Sequence, residues 1–460
     1  MSQHAIATHP SRFIPPVPPV PANPLPLPAF LRAIRTNALT MWTAAAYTQD
    51  IAARRFLGRT NVLVSAPEAI HRVLVENPAN YRRSPATIRI LRPITGNGLL
   101  LSQGDAWRFQ RRTIAPALAP RVMPMLARHI VAVSGGRLAV LAAEAARGPI
   151  DLLAAMQGLT LEIAGRSLFS LEMATFGAPL RRLLTDFQAL SRPFLLDILL
   201  PASVPTLRDL RRRRFQALWM RLMEQIMADR LRAPQPETPR DLFDLLRAAR
   251  DPETGAGFSP TQLRDQLATL LLAGHETTAV TLFWTLTLLA QDPAEQARVA
   301  AEVRAVPIEQ DGAAEVVTRL VRTRAVVSEA LRLYPPAFTI VREAIGPDRL
   351  GDFALPRRAV VMIAPWVLHR HRALWRDPDA FDPDRFMPDS PPLPRFAYLP
   401  FGAGPRVCVG AQFALTEAML VLALLLQRFE VALAETRPVL PVGIVTTQPD
   451  HPAKFWARQR

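Results

Sequence analysis

The only cysteine in this 460-residue chain, Cys408, sits in the string Phe401-Gly402-Ala403-Gly404-Pro405-Arg406-Val407-Cys408-Val409-Gly410. A lone thiol forms no internal disulfide and no four-ligand zinc site. It can give one axial thiolate to a haem iron and push electron density through the metal to favour O–O cleavage. Gly402, Gly404 and Gly410 let the backbone turn tightly around the sulfur, so that the N–H groups of residues 409–411 could point at it and tune its charge. Arg406, two residues away, is placed to meet a haem propionate. Taken alone, Cys408 fits equally well a buried free thiol in a glycine-rich turn.

A second constellation is Ala273-Gly274-His275-Glu276-Thr277-Thr278, inside the long apolar run from Leu267 to Ala290. The run is long enough for a membrane span, but His275 and Glu276 near its middle make a central buried helix the better reading. Glycine in mid-helix costs about 1 kcal/mol against alanine, so Gly274 needs a reason. Small residues at 273 and 274 would let a flat ligand and dioxygen approach the backbone. Thr277 can back-bond to the carbonyl of residue 273 and open the helix locally. Glu276 and Thr277 then make an acid–alcohol pair able to relay protons. The alternative is a structural Thr-Thr with Glu276 paired to an arginine.

Both strings resemble motifs of the cytochromes P-450. The first fills every fixed position of the haem loop Phe-Gly-x-Gly-x-Arg-x-Cys-x-Gly. The second fits the oxygen-activation pattern (Ala/Gly)-Gly-x-(Asp/Glu)-Thr-(Thr/Ser). The resemblance extends over about residues 60–460 and rests on three further, weaker motifs. Glu329-Ala330-Leu331-Arg332 precedes Tyr334-Pro335-Pro336; the same Glu-x-x-Arg spacing recurs at 144/147, 237/240 and 295/298, so only the context singles it out. Phe381-Asp382-Pro383-Asp384-Arg385-Phe386 offers another arginine, and Trp107 and Arg111 match Trp-x-x-x-Arg.

The resemblance implies a mainly α fold with a small β region, a triangular helical prism with haem b between the central helix and the cysteine loop. It implies Cys408 as axial iron ligand and Glu276 and Thr277 as proton handlers. Trp107, Arg111, Arg342 and Arg406 would meet the haem propionates, and Phe401, Gly410, Ala273 and Gly274 would line the haem. Glu329, Arg332 and Arg385 would form a buried triad locking the loop below it. The substrate pocket would draw on Ile88, Ile94 and Leu99 from an apolar loop 88–101, with Phe338, Thr339, Ile444 and Val445. The pocket's apolar character fits a hydrophobic small molecule. Arg89 and Arg92 are read as solvent-exposed, with a carboxylate contact as the lesser option. The implied reaction inserts one atom of O2 into the substrate. The roughly fifty residues after the haem motif are too few for a flavin or iron–sulfur domain. The expected electron source is therefore a separate ferredoxin, or a flavodoxin, with its NAD(P)H-dependent reductase.

The elements that must position these residues are mostly helical. Apolar residues recur at i, i+3, i+4 near 122–147, 151–170, 206–232, 261–290, 294–305, 316–333 and 411–427. Short strands are expected at Asn61–Ser65, Phe338–Val341, Val360–Ala364 and Phe429–Leu433, and 366–407 reads as a long ordered loop. With 49% hydrophobic residues the chain can bury an extensive core. We read residues 29–460 as one catalytic domain, preceded by a segment 1–28 in which nine residues are proline; such a stretch should lie extended on the surface. No leader or transmembrane anchor is seen, and a single cysteine fits the cytoplasm. Formal net charge is +16, yet Lys454 is the only lysine and there are four tyrosines. That is poor material for a basic, aromatic-interleaved nucleic-acid surface. The run Arg211–Arg214 is expected to be a solvated helix face. A monomer is expected.

Overall fold

In this computed structural model the residues described are 13–56, 58–171, 173–192, 197, 200, 204–232, 234 and 236–460. The longest element is the helix Pro260–Gln291. Ser259 starts it with a capping box: its hydroxyl accepts from the Gln262 N–H while the Gln262 side chain accepts from the Ser259 N–H, and Pro260 adds its preset φ. Every residue from 278 to 289 is buried, as expected of a helix apolar nearly all round. Helices Leu152–Phe169, Val321–Leu333, Ala411–Arg428, Pro85–Thr95 and Leu207–Arg232 pack along it. Trp284 stacks on Tyr334 with centroids 4.1 Å apart and donates from Nε1 to the Thr447 carbonyl.

Among the described residues two helical stretches, residues 120–145 and Ala411–Arg428, are long and apolar enough to cross a membrane by length and composition. In Ala411–Arg428 that apolarity serves packing: residues 416–426 are all buried in the core.

The β structure is small and lies to one side. A five-stranded sheet runs in the order Ile51–Phe56, Arg59–Val64, Val360–Ile363, Ile340–Ala344, Tyr81–Arg83. Arg59–Val64 is parallel to Val360–Ile363 and the other pairs are antiparallel. The register sets Arg83 opposite Arg342. A two-stranded piece, Pro441–Gly443 with Thr447–Pro449, holds the turn 444–446. That turn is fixed to the helical body, because Thr447 donates from its N–H and its hydroxyl to the carbonyls of Pro336 and Pro335.

Several expectations change. The segment 88–101 is not a loop throughout: Pro85–Thr95 is helical, capped by Ser84 and ended at Gly96, whose φ is 56°. Asn97 and Leu99 then donate their N–H groups to Asp265 and Gln266 of the central helix, which pins the connection. Arg89 is buried rather than exposed, donating to the carbonyls of Leu200 and Val204 with Asp209 3.8 Å away; Arg92 is exposed. Arg211, Arg213 and Arg214 are exposed, but Arg212 is buried in a bidentate pair with Asp197.

The expected helix 316–333 is broken into Ala313–Val316, a turn at Val317–Arg319 and Val321–Leu333. Glu302 caps the last piece, accepting from the N–H groups of Arg322 and Thr323. A strand expected from Phe338 begins only at Ile340. Near the start, a helix Leu27–Thr36 begins inside the proline-rich stretch, with Pro28 in its first turn where no N–H is needed. Residues 13–26 form no helix or strand, with Pro15 and Pro18 buried, and are tied down: the Phe381 N–H donates to Phe13 and the Ala44 N–H to Pro21.

Candidate active site

Cys408 begins as a backbone problem. Its N–H donates to the Phe401 carbonyl at 2.9 Å, closing the loop on itself. Gly404 has φ 70°, and a Cβ there would lie 2.0 Å from the Leu74 carbonyl oxygen. Only glycine lets the loop approach the 72–76 turn so closely. The Gly410 N–H donates to the thiol and Arg111 adds a positive field, both lowering its pKa, but burial is the larger influence and raises it. Even so, Cys408 has substantial accessible surface. The thiol is thus both crowded and accessible.

The central helix shows the same signature. In a helix that is otherwise packed, Ala273 is exposed and Gly274 and Thr277 are half-exposed; a Cβ on Gly274 would meet nothing within 4 Å. Thr277 Oγ1 donates to the Ala273 carbonyl at 2.6 Å. Thr281 and Thr285 each repeat that i−4 bond, a series that favours bending a helix.

Four arginines gather beside the cysteine loop. Arg111 donates to the Val407 carbonyl at 2.8 Å. Arg406 donates to the Ser102 carbonyl at 3.1 Å and lies over the Trp107 ring, 4.4 Å from its centroid. Arg83 and Arg342 face each other across the sheet. Burial and the Arg342 and Arg406 charges push Arg83 down to about 9; burial and Arg406 push Arg342 down to about 10. Among the described residues none of the four has a carboxylate ion pair, and Arg83 Nε is buried without a hydrogen-bond partner. Buried like charges with no counter-charge are costly, and an anion with two acceptor groups would relieve them. Arg83 was missed in the sequence, where Tyr81-Arg82-Arg83-Ser84 matches no motif. Only the strand register reveals it.

Behind the loop, Arg332 and Glu329 form a fully buried bidentate pair at 2.6 and 2.7 Å. Arg332 also donates to the carbonyls of His369, Pro378 and Ala380. Arg385 Nε lies 3.6 Å from Glu329, and the Asp382 N–H donates to the same carboxylate at 2.8 Å.

Among the described residues no arginine pairs with Glu276. Its Oε1 accepts from Gln188 Nε2 at 3.2 Å, from Gln448 Nε2 and from Thr446 Oγ1 at 3.5 Å, and Gln157 adds a further hydrogen bond. Burial pushes the carboxyl up to about 7, against the pull of those donors. The neighbouring His275 is pushed down to about 4 by burial.

The family model for cytochrome P450 matches residues 18–454. The chain belongs to the cytochrome P450 family. Cyclooctatin synthase of Streptomyces melanosporofaciens is 37% identical over 385 residues, spanning 83% of this chain and 82% of its own length. Cyclooctat-9-en-7-ol 5-monooxygenase of the same organism is 31% identical, spanning 80% of this chain and 79% of itself. The crystal structure of the cytochrome P450DA heme domain superposes with a TM-score of 0.81 at 25% identity, covering 96% of this chain and 98% of that one. This P450 is therefore a haem-thiolate monooxygenase of mainly α fold with small β sheets.

Of the substrate candidates, Ile94 has no accessible surface: it packs in the core, with its carbonyl taking the Trp219 Nε1–H. A residue so enclosed touches no substrate. Leu99 and Phe338 are also core residues, whereas Ile88, Thr339 and Ile444 are half-buried and Val445 is exposed.

Proposed function

We propose that this P450 inserts one atom of O2 into a hydrophobic small molecule, with haem b held between Cys408 and the Ala273–Thr277 face of the central helix. The observation carrying this is the match between a crowded yet accessible thiol, an accessible strip on the central helix, and four arginines that have no acidic partner among the described residues. A flat dianion fits all three. Haem supplies oxygen activation when bound. Cys408 would ligate its iron, Arg83, Arg111, Arg342 and Arg406 would take the propionates, with Trp107 stacked on Arg406, and Phe401 and Gly410 would line the ring. Glu329, Arg332 and Arg385 would keep the loop below it in place. Thr277 and Glu276 would deliver protons on the opposite side.

The electron source we propose is a ferredoxin, or a flavodoxin, docking on the arginine-rich cysteine side; we propose a monomer in the cytoplasm. Relatives named for cyclooctat-9-en-7-ol and cyclooctatin support a first substrate panel of unsaturated cyclic alcohols and hydrocarbons, screened by spin-state shift. The deciding experiment is the dithionite-reduced spectrum with and without carbon monoxide. A Soret band at the red-shifted, thiolate-specific position is expected, and a histidine-type band would refute Cys408 as ligand.

Two variants test the roles. Thr277→Ala removes the only side-chain hydroxyl on the accessible strip, and should lower product formed per NADPH roughly tenfold or more, with peroxide rising in step. Undiminished coupling would remove Thr277 from proton delivery. Arg83→Leu relieves a buried like-charge cluster, so the haem-free protein should melt higher while its haem affinity falls. Calorimetry and haem titration read the two changes, and a change of the same sign in both would count against the anion site.

A further inference from the structure

We propose that Gln157, Gln188 and Gln448, with Thr446, are positioning residues that orient the buried Glu276 without supplying a cation that would ionise it, so that it donates as a carboxylic acid rather than resting as the partner of a cation. The inference deepens the proton-handling role proposed for Glu276 and Thr277 and rests on it.

The argument is geometric. Glu276 is buried, and among the described residues no arginine or lysine forms an ion pair with it. What surrounds it is neutral amide and hydroxyl, brought from separate parts of the chain. Gln157 comes from the helix Leu152–Phe169, Gln188 from Met173–Ser191, and Thr446 and Gln448 from the turn and strand after Gly443. Gln448 also donates to Thr446 Oγ1 at 3.2 Å, which orders the two relative to each other.

Three of these donors converge on one oxygen, Oε1. That leaves Oε2, which none of the three donors uses, as the oxygen to carry a proton. The only titratable neighbour on its own helix is His275, whose Nδ1 lies 4.0 Å from Oε2 and has no hydrogen-bond partner. His275 stays neutral above about pH 4. Glu417, the acid buried on the packed helix Ala411–Arg428, is itself pushed well above the usual carboxylate range by burial. Thus among the described residues no formal charge is placed to hold Glu276 ionised. Amide donors stabilise a carboxylate less than a cation does and cost nothing when the acid is protonated. Burial outweighs them and pushes the carboxyl up to about 7. A proton donor works best with its pKa near the working pH.

The cage also joins two regions. Thr446 lies in the turn that carries Ile444 and Val445, and Gln448 in the strand that follows it, so displacement of that turn by a bound molecule would strip donors from Oε1.

The test is an infrared pH titration of the ferric holoprotein from pH 5 to 9, using the wild-type minus Glu276→Gln difference to isolate the carboxylic C=O band. The band should lose half its intensity near pH 7. Gln448→Leu should move that midpoint upward, and Gln448→Arg, which puts a cation in reach, should lower it by two pH units or more. A wild-type carboxyl already ionised at pH 5, or a midpoint indifferent to both Gln448 variants, would overturn the proposal. The reading needs no turnover, so it stands apart from the relay. If the carboxyl titrates as expected but Glu276→Gln leaves product per NADPH unchanged on a spin-shifting compound, the cage holds and the relay role falls.

Discussion

Cys408→Ser is expected to abolish the thiolate-type reduced-CO band and all NADPH-driven product formation, while leaving the protein folded. The two halves of that expectation come from different observations. Chemically, a serine oxygen cannot supply the soft, electron-releasing ligand that favours O–O cleavage. Structurally, the residue's recorded tie to the loop is its backbone N–H to the Phe401 carbonyl, which serine keeps. The Gly410 N–H can donate to a hydroxyl as it does to the thiol. Both loop hydrogen bonds therefore survive the substitution, so the haem-free melting temperature should hardly move. Circular dichroism and the CO spectrum, taken on one sample, separate loss of ligand from loss of fold. A serine variant that kept the red-shifted band would remove Cys408 from the iron.

The contrast between what was and was not legible in the sequence follows the same division. The haem loop and the Ala273–Thr278 string could be read because each packs its chemistry into a few contiguous residues. The long helices could be read because their apolar period persists over several turns. The helix Pro85–Thr95 is not legible within the apolar segment 88–101, because its start depends on the Ser84 cap and its end on the Gly96 turn held by Asp265. The site's missing members have one cause. Arg83 becomes a neighbour of Arg342 through antiparallel register, and Gln188 and Gln448 meet at Glu276 from positions 260 residues apart. Spacing along a chain carries no information about such meetings. Ile94 failed in the opposite direction: an apolar residue near a pocket region looks the same in sequence whether it lines the pocket or, as here, the core.

The second large effect concerns assembly. Arg332→Ala should destabilise the fold by about 3–5 kcal/mol, the usual result of breaking a buried ion pair from one side. Arg332 has no accessible surface and directs every polar bond it makes into the protein. Two bonds go to Glu329 and three to the carbonyls of His369, Pro378 and Ala380. Its loss leaves those three carbonyls without their donor and a buried carboxylate supported by the Asp382 N–H and Arg385 alone. Against a total stability of about 5–15 kcal/mol, that is a large fraction, and it falls on the segment that leads into the cysteine loop. Arg332→Lys should recover only part of it, since an ammonium cannot reach five acceptors with the geometry of a guanidinium. Urea titrations of the three proteins give the ranking wild type, lysine, alanine. The fraction that still folds should show a CO band at an unshifted position, because the pair lies behind the loop and touches neither the thiol nor the central helix strip. A shifted band with unchanged stability would mean the reverse, an electronic role in place of a scaffolding one.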